Sequence, residues 1–210
     1  MIFPTKTIER NLFRDGYQSV IGVDEVGMGC LAGPVVVCAV SLTKAFYQRN
    51  NVKLLGIRDS KLLTPRQREA YATELFQSKW LKYQISYCYP QTIDKLNIYQ
   101  AARKAMRRAI SKLTSRESMV LVDGPHLIAG LDLPQRAIIK GDRTVFAIAC
   151  ASVIAKVHRD RMMARYAKRF PQYGFECHKG YGTKLHVAML AQYGPSAIHR
   201  HSFAPVEKLV

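Results

Sequence analysis

Acidic residues are scarce in this sequence, and three of them stand directly after short apolar segments. The chain has 15 Asp and Glu against 32 Lys and Arg. Asp24 follows Val-Ile-Gly-Val, Asp123 follows Val-Leu-Val, Asp142 follows Ile-Ile-Lys-Gly, and Glu25 is next to Asp24. Ligands bind at the ends of strands in α/β sheets. If these segments are neighbouring strands, three or four carboxylates converge on one place.

Converging carboxylates need a counter-charge. Two of them ~4 Å apart repel by about 4 kcal/mol at an effective dielectric constant near 20. Mg²⁺ and Mn²⁺ are the natural counter-ions because they prefer carboxylate and water oxygens. Two such ions can activate a water and stabilise the leaving oxygen of a phosphodiester. Each Asp alone is better explained as a turn residue or helix N-cap, but the set favours a metal-dependent nuclease.

The composition agrees with a nucleic-acid partner. A formal net charge of +17 attracts polyanions. Anionic lipid, an acidic protein, or a generally basic surface with no specific ligand are alternatives that composition leaves open. With 48% hydrophobic residues the chain can bury a core, which excludes a disordered basic tail.

The cysteines and apolar segments indicate a cytoplasmic protein that is neither secreted nor inserted in a membrane. The five Cys include no C-x-x-C pair, which argues against a disulfide framework and for a reducing compartment. The N-terminus lacks the apolar stretch of a signal peptide. The longest apolar segment, Val145–Ala155, is far shorter than the roughly 20 residues of a membrane helix.

Hydrophobic periodicity predicts an α/β domain with a mixed sheet. Strands are predicted at Ser19–Gly27, Pro34–Leu42, Lys82–Tyr89, Met119–Val122 and Ala137–Ile139. Helices are predicted from a capping box at Thr64 and Gln67 to about Trp80, and over Asn97–Leu113, Thr144–Lys168 and Lys184–Tyr193. We expect a single domain over residues 1–210. Its core spans about 18–170, and a C-terminal loop and helix follow at about 171–210.

Three other motifs carry less weight. Gly27-x-Gly29-x-x-Ala32 resembles a dinucleotide fingerprint, but a Pro and a strand follow it instead of a helix. No Gly-Lys dipeptide is present, so there is no Walker A loop. Cys177, His178 and His186 lack the paired-Cys spacing of a zinc site and are interpreted as ordinary loop and helix residues.

The motifs in their order and spacing resemble bacterial ribonuclease HII, the type 2 ribonuclease H, from about Ser19 to Phe203. The stretches that carry this resemblance are GVDEVGMGCLAGPVV, RDSKLLT, NIYQAARKAM, VDGP, KGD, AIACASVIAKVHRD, FECHKGYGT and GPSAIHRHSF. The resemblance implies a ribonuclease H-like fold, with a central five-stranded mixed sheet flanked by helices and a helical C-terminal part.

The resemblance also implies an activity and its catalytic residues. The family cleaves the RNA strand of RNA–DNA hybrids and incises 5′ of ribonucleotides embedded in duplex DNA, leaving 3′-hydroxyl and 5′-phosphate ends. Its metal-binding carboxylates correspond to Asp24, Glu25, Asp123 and Asp142, with Asp24 placed to bridge two Mg²⁺ or Mn²⁺ ions. We expect a monomer whose partners are these nucleic acids.

The resemblance implies that Gly27, Met28, Gly29, Lys61 and Tyr181 bind the substrate. It also implies that the C-terminal loop and helix at about 171–210 complete the substrate site. The glycine loop would contact the ribose 2′-hydroxyl through its backbone. Lys61 would contact a phosphate, and Tyr181 would pack against the nucleotide after the ribonucleotide. Simpler interpretations are a solvated loop lysine and an ordinary loop aromatic.

Four positions depart from the usual family pattern. Met28 replaces an Arg, Cys30 a Pro, Leu62 a Lys, and Pro125 a common Asn. Since Met28 cannot donate to a phosphate, we expect an active enzyme with weaker substrate binding or altered junction preference. Met28→Arg should strengthen binding.

Other functions remain as alternatives. Ribonuclease HIII is the nearest, but it carries an N-terminal domain for which the 23 residues before Asp24 are too few. A junction resolvase would use the same kind of metal-binding carboxylates, but it should not need a ribose 2′-hydroxyl in its substrate. A non-enzymatic basic nucleic-acid-binding module would use the acids only as turns and caps. A role at a membrane surface is the least favoured.

Overall fold

The computed structural model describes residues 3–49, 52–113, 115 and 117–209, and its centre is a five-stranded sheet. The strands are β1 (Ser19–Val26), β2 (Val35–Thr43), β3 (Leu81–Cys88), β4 (Ser118–Asp123) and β5 (Gln135–Ile138). Their order is β3-β2-β1-β4-β5. The β1–β2 and β2–β3 pairs are antiparallel, whereas β1–β4 and β4–β5 are parallel. The predicted mixed sheet of five strands is confirmed.

Helices cover both faces of this sheet. They are α1 (Thr7–Arg14), α2 (Lys44–Tyr47), α3 (Pro65–Gln77), α4 (Pro90–Leu96), α5 (Ile98–Ile110), α6 (Gly141–Thr144), α7 (Phe146–Arg169), α8 (Phe175–His178), α9 (Lys184–Tyr193) and α10 (Ala204–Glu207). Short 3₁₀ turns lie at Val52–Leu54, Ser60–Leu62 and Pro171–Tyr173. No helix in the described ranges is long and apolar enough to cross a membrane.

The two faces of the sheet bury different strand residues. Val20, Cys38 and Val40 pack toward α7, while Val23 and Val37 pack toward α5. This split follows from the alternation of side chains along a strand. It also decides where neighbouring acids point.

Helix α7 lies unusually close to β1 because small residues meet there. A Cβ atom on Gly22 would lie 2.3 Å from the carbonyl carbon of Ala147. The first ten residues of α7, from Phe146 to Ala155, are all buried. The apolar segment that is too short for a membrane helix is therefore the buried half of α7.

Most predicted elements are present, and the capping box at Thr64 and Gln67 is confirmed. The main omissions are α1 and α4. Helix α1 has a structural task, because its buried Glu9 accepts the N–H of Ala147 at 3.0 Å. Since α7 has no side-chain cap of its own at Val145, Glu9 caps the helix from a distant part of the chain.

The C-terminal part packs against α7 and the loop between β1 and β2. Tyr173, Phe175 and Ile198 share a core with Ala32 and Met163. Isolated bridges join Cys30 to Tyr181 and Ala32 to His199. The loop after β1 is therefore held between α7 and the C-terminal segment.

Candidate active site

Three acids meet at one edge of the sheet. Asp24 lies near the end of β1, Asp123 is the last residue of β4, and Asp142 lies in α6, which follows β5. One carboxylate oxygen of each lies within 4.8 Å of the others. Since β1 and β4 are parallel neighbours, their carboxyl ends share an edge, and the strand-end pattern in the sequence leads to this acidic cluster.

Backbone N–H groups orient two of these carboxylates. Asp24 Oδ1 accepts the N–H of Glu25 at 2.7 Å. Asp123 Oδ1 accepts the N–H of Gly141 at 2.7 Å. The second bond ties the end of β4 to the start of α6, and so places Asp142 beside Asp123.

Glu25 does not belong to the three-carboxylate group. Neighbouring residues of a strand point to opposite faces, so Asp24 reaches Ser152 of α7 while Glu25 lines a cavity beside Tyr99 of α5. Of the three or four carboxylates expected to converge, Asp24, Asp123 and Asp142 form the closest group and Glu25 lies at their side. Glu25 still lines the same cavity as the other three.

Crowding of buried carboxylates shows in their pKa values. Burial, then repulsion by Glu25 and Asp123, raises the pKa of Asp24 well above its ordinary value. Burial and the charge of Asp123 raise the pKa of Glu25 to about 7 and that of Asp142 to about 6. Burial also raises the pKa of Asp123. Lys61 opposes the rise for Glu25, Asp123 and Asp142, since a nearby cation stabilises the ionised form.

These residues fit a hard divalent cation. Within the described ranges, the buried Oε2 of Glu25 has no hydrogen-bond partner, and buried carboxylate oxygens without partners are costly. The donors are all carboxylate oxygens, the ligands that Mg²⁺ and Mn²⁺ prefer. A bound cation would satisfy Glu25 and relieve the repulsion that raises the pKa values.

One cavity of about 250 Å³ brings the predicted site residues together. It is lined by every residue that the sequence analysis selected, namely Asp24, Glu25, Gly27, Met28, Gly29, Lys61, Asp123, Asp142 and Tyr181. It also includes Val26, Ser60 and Ser152, which the sequence analysis did not select. The acids and the residues proposed to bind nucleic acid therefore face the same space.

Two buried arginines bind backbone carbonyl groups of the loop between β1 and β2, and this loop includes Gly27, Met28 and Gly29. Arg200 donates to the carbonyls of Gly27 at 2.7 Å, Met28 at 2.9 Å and Gly33 at 3.0 Å. Arg159 donates to those of Ala32, Pro34 and Lys179 at 2.8–3.1 Å. Both arginine side chains are fully buried. Because they bind carbonyls rather than acids, they stabilise the loop backbone itself.

The two glycines of this loop are needed for different reasons. Gly27 has φ +92°, and a Cβ there would lie 2.3 Å from Arg159 Nε, so the conformation and the clamp both require glycine. Gly29 has nothing within 4 Å of its Cβ position. Its open side allows a ligand to approach the backbone closely.

Lys61 and Tyr181, which are far apart in the sequence, both line the cavity. Lys61 is exposed, and its backbone N–H donates to Asp59 Oδ1 at 2.9 Å. Asp59 is buried and pairs with Arg143 at 3.1 Å. Tyr181 is half-buried, and burial raises its pKa to about 12, so it is a neutral donor near neutral pH.

The departures from the family pattern occupy separate places. Met28 lines the cavity and packs on the core beneath α5. Cys30 is buried opposite Tyr181. Leu62 and Pro125 are exposed. Only Met28 of the four lies in the cavity of the acids.

Arg159 and Arg200 are the main residues that the sequence analysis missed. Both lie in motifs quoted above, AKVHRD and IHRHSF. In a chain with a net charge of +17, however, a basic residue is expected at the surface, so neither arginine was selected. Ser152 of α7 is a further residue that the sequence analysis did not select. Its hydroxyl group binds Ser60 Oγ at 3.0 Å and also interacts with Asp24.

The histidines form a second buried cluster, made of His178, His186 and His199. His186 Nδ1 donates to the Tyr181 carbonyl at 2.9 Å, and its Nε2 lies 3.1 Å from His199 Nε2. His199 Nδ1 accepts the N–H of Ser196 at 2.8 Å. His178 Nε2 donates to the Tyr173 carbonyl and its Nδ1 accepts the Gly180 N–H. In the described part of the chain, the aspartates are the group placed to hold a metal ion, and Cys177, His178 and His186 are not.

Comparisons with known proteins identify the family of this chain. The family profile described as Ribonuclease HII matches residues 21–206. Ribonuclease HII of Caldicellulosiruptor saccharolyticus is 45% identical over 196 residues, which cover 93% of this chain and 92% of that protein. Ribonuclease HII of Bacillus subtilis is 46% identical over 199 residues, covering 95% and 74%.

Solved structures show the same fold. The ribonuclease H2 of Pyrococcus horikoshii aligns with a TM-score of 0.73 at 25% identity, over 91% of this chain and 96% of that chain. Sequence, sheet topology and fold therefore agree, and the predicted resemblance is confirmed. The chain belongs to the ribonuclease HII family and is a hydrolytic endonuclease of the ribonuclease H type, acting on RNA–DNA hybrids.

Proposed function

We propose that this ribonuclease H also incises duplex DNA 5′ of an embedded ribonucleotide, using two divalent cations held by Asp24, Glu25, Asp123 and Asp142. The observation that carries the proposal is the shared cavity. The acids, the glycine loop, Lys61 and Tyr181 all line it, so cleavage and recognition of a ribose have a common location.

Hydrolysis would add water across one phosphodiester. Water attacks the phosphorus on the 5′ side of the ribonucleotide, and the P–O3′ bond of the preceding nucleotide breaks. The 3′ oxygen leaves and takes up a proton, giving a 3′-hydroxyl, while the ribonucleotide keeps the 5′-phosphate. Two Mg²⁺ or Mn²⁺ ions would supply activation of the water and stabilisation of the leaving oxygen.

The protein side chains have distinct tasks in this reaction. Asp24, Asp123 and Asp142, with the partnerless oxygen of Glu25, would hold the cations. Lys61 would neutralise a substrate phosphate at the cavity rim. Gly27, Met28 and Gly29 would read the 2′-hydroxyl through their backbone, since the hydroxyl group is what separates RNA from DNA. Tyr181 would pack against the following nucleotide.

The unit that acts is proposed to be a monomer with one domain over residues 1–210. The cavity combines residues before and after residue 170. The C-terminal segment also clamps the glycine loop through Arg200, which supports its place in the same functional unit.

The test uses a labelled DNA duplex with one ribonucleotide, an all-DNA duplex and an RNA–DNA hybrid, each with Mg²⁺, Mn²⁺ or EDTA. We expect metal-dependent incision only on the 5′ side of the ribonucleotide, cleavage of the hybrid, and no cleavage of all-DNA. Cleavage of the hybrid with an intact single-ribonucleotide duplex would refute the proposed incision activity. Cleavage in EDTA would refute the role of the cations.

A further inference from the structure

A second cavity opens directly beside the acids. It has a volume of about 100 Å³ and lies between the first turns of α5 and the loop that follows β4. It shares three lining residues with the catalytic cavity, Glu25, Met28 and Asp123. The two cavities are therefore adjacent, and a strand whose phosphate lies at the acids passes beside the second one.

Buried apolar side chains form the floor of this cavity, and two large exposed side chains, one of them aromatic, lie at its rim. Ala102, Met106, Val122 and Ile128 are buried beneath it. Tyr99 is 64% exposed and Leu127 is 53% exposed. Large apolar side chains grouped at the mouth of a cavity are typical of a binding surface rather than of ordinary solvent exposure.

Met28 gives this cavity part of its apolar wall. Its side chain is half-buried and packs on the core below α5. It therefore faces an apolar surface as well as the acids. Arg103, also half-buried, is the cation of the lining. An apolar slot with an exposed aromatic ring and one cation matches a nucleoside unit with its phosphate.

We propose that this cavity, named here the Tyr99 subsite, binds one nucleotide of the cleaved strand next to the scissile phosphate. Tyr99 stacks on its base, Met28 and Leu127 contact the base from the sides, and Arg103 faces its phosphate. The proposal rests on the placement of the scissile phosphate at the acids. The occupant follows from adjacency to that site, because the chain that passes the acids is the nucleic-acid strand.

Stacking on an aromatic ring tolerates any base, because every base has a π-face. The subsite therefore strengthens binding without choosing a sequence. Its loss should weaken binding roughly tenfold, near the lower part of the range for one base–aromatic contact. This effect is separable from the reading of the 2′-hydroxyl, which lies with the glycine loop.

The experiment compares Tyr99→Ala with Tyr99→Phe, which keeps the ring, and with Tyr83→Ala. Tyr83 is an exposed tyrosine on the edge strand β3 and serves as a matched control. Affinity for the ribonucleotide-containing duplex is measured by fluorescence anisotropy in EDTA, and single-turnover cleavage is measured in Mg²⁺. We expect roughly tenfold weaker binding for Tyr99→Ala only, with Tyr99→Phe and Tyr83→Ala close to the wild-type protein.

A set of substrates then locates the base. Each carries one abasic position near the ribonucleotide on the cleaved strand. At one position the abasic site should weaken wild-type binding, and there Tyr99→Ala should cause no further loss. An equal loss for Tyr99→Ala on every substrate, or no loss at all, would refute the subsite. If the wild-type protein cleaves no substrate, the proposed function fails instead, which is a different outcome.

Discussion

The histidine cluster and the acidic cluster both bury ionisable side chains, but they differ in how their polar atoms are satisfied. Each ring nitrogen of His178, His186 and His199 has a partner at 2.7–3.2 Å. One neutral tautomer for each ring accounts for every bond, because the carbonyl of Tyr181 only accepts and the N–H of Ser196 only donates. In the acidic cluster, by contrast, Glu25 Oε2 has no partner among the described residues.

The difference separates a structural network from a binding site. Burial lowers the pKa of His186 and of His199 to about 4, so both rings are neutral near neutral pH and need no external ion. Burial raises the pKa of the clustered carboxyls, and only an added cation completes their coordination. The complete hydrogen-bond network of the histidines supports the fold, whereas the clustered carboxylates with an unpartnered oxygen favour a bound cation.

The largest expected effect comes from Asp24→Asn. Cleavage should fall by roughly 10²- to 10³-fold or more, the scale for one lost electrostatic contact at a reacting centre, because a cation ligand is lost. The free energy of unfolding in EDTA should stay the same or rise, since a buried like-charge contact disappears. Single-turnover cleavage of a labelled hybrid and urea unfolding measure the two effects.

Asp132→Asn is the matched control for this change, because Asp132 is exposed on the loop before β5. Its cleavage rate should equal that of the wild-type protein. Undiminished cleavage by Asp24→Asn would contradict the assignment of the acidic cluster as the catalytic centre.

The opposite pattern is expected for His199→Ala. Removing the ring leaves a cavity and leaves the N–H of Ser196 and one nitrogen of His186 without partners. The free energy of unfolding should drop by about 3 kcal/mol. Cleavage per folded molecule should fall far less than for Asp24→Asn.

His201→Ala provides the comparison, since His201 is exposed and surface changes cost within about 0.5 kcal/mol. Equal urea midpoints for His199→Ala and His201→Ala would show that the histidine network contributes little to stability. Chemical denaturation with a fluorescence readout distinguishes these cases.

The smallest expected effect concerns the free energy of unfolding of the metal-free protein, to which the two clusters contribute with opposite pH dependence. The pKa values of His186 and His199 are lowered to about 4, so their contribution to stability is present above about 6.5 and is lost as the pH falls toward 4. The pKa values of Asp142 and Glu25 are raised to about 6 and 7, so their contribution is present below about 4 and is lost as the pH rises through 6 and 7.

Urea unfolding in EDTA between pH 4 and 8 tests these signs. Asp24→Asn should flatten the decline toward pH 7, whereas His199→Gln should flatten the decline toward pH 4. If Asp24→Asn steepens the loss of stability with rising pH, the repulsion among the carboxyls has been assigned the wrong sign.

The sheet and its acids were predictable from the sequence because both follow from local patterns. Apolar segments mark the strands, and the acid after each one must lie at a strand end. The position of Glu25 depends on which face of β1 is covered by α5 and which by α7, and that is a property of the assembled layers. Helix α1 was missed although Ile8, Leu12 and Phe13 give it an apolar face that packs on the core. What no local pattern shows is that its Glu9 caps α7, more than a hundred residues away.

The buried arginines show the same limit. Arg159 and Arg200 bind backbone carbonyls that come from the loop between β1 and β2 and, in one case, from Lys179. Backbone carbonyls have no sequence signature, so nothing near either arginine identifies its partners. The sequence therefore indicated the loop but not the groups that hold it.

The arginine clamp also bears on how this loop changes in evolution. Arg200 holds the carbonyls of Gly27 and Met28, so the path of the main chain does not depend on the side chain between the two glycines. A position supported in this way can exchange an arginine for a methionine and keep the loop conformation. Substitution of Met28 should therefore change how tightly the strand is held and leave the geometry of the loop unchanged.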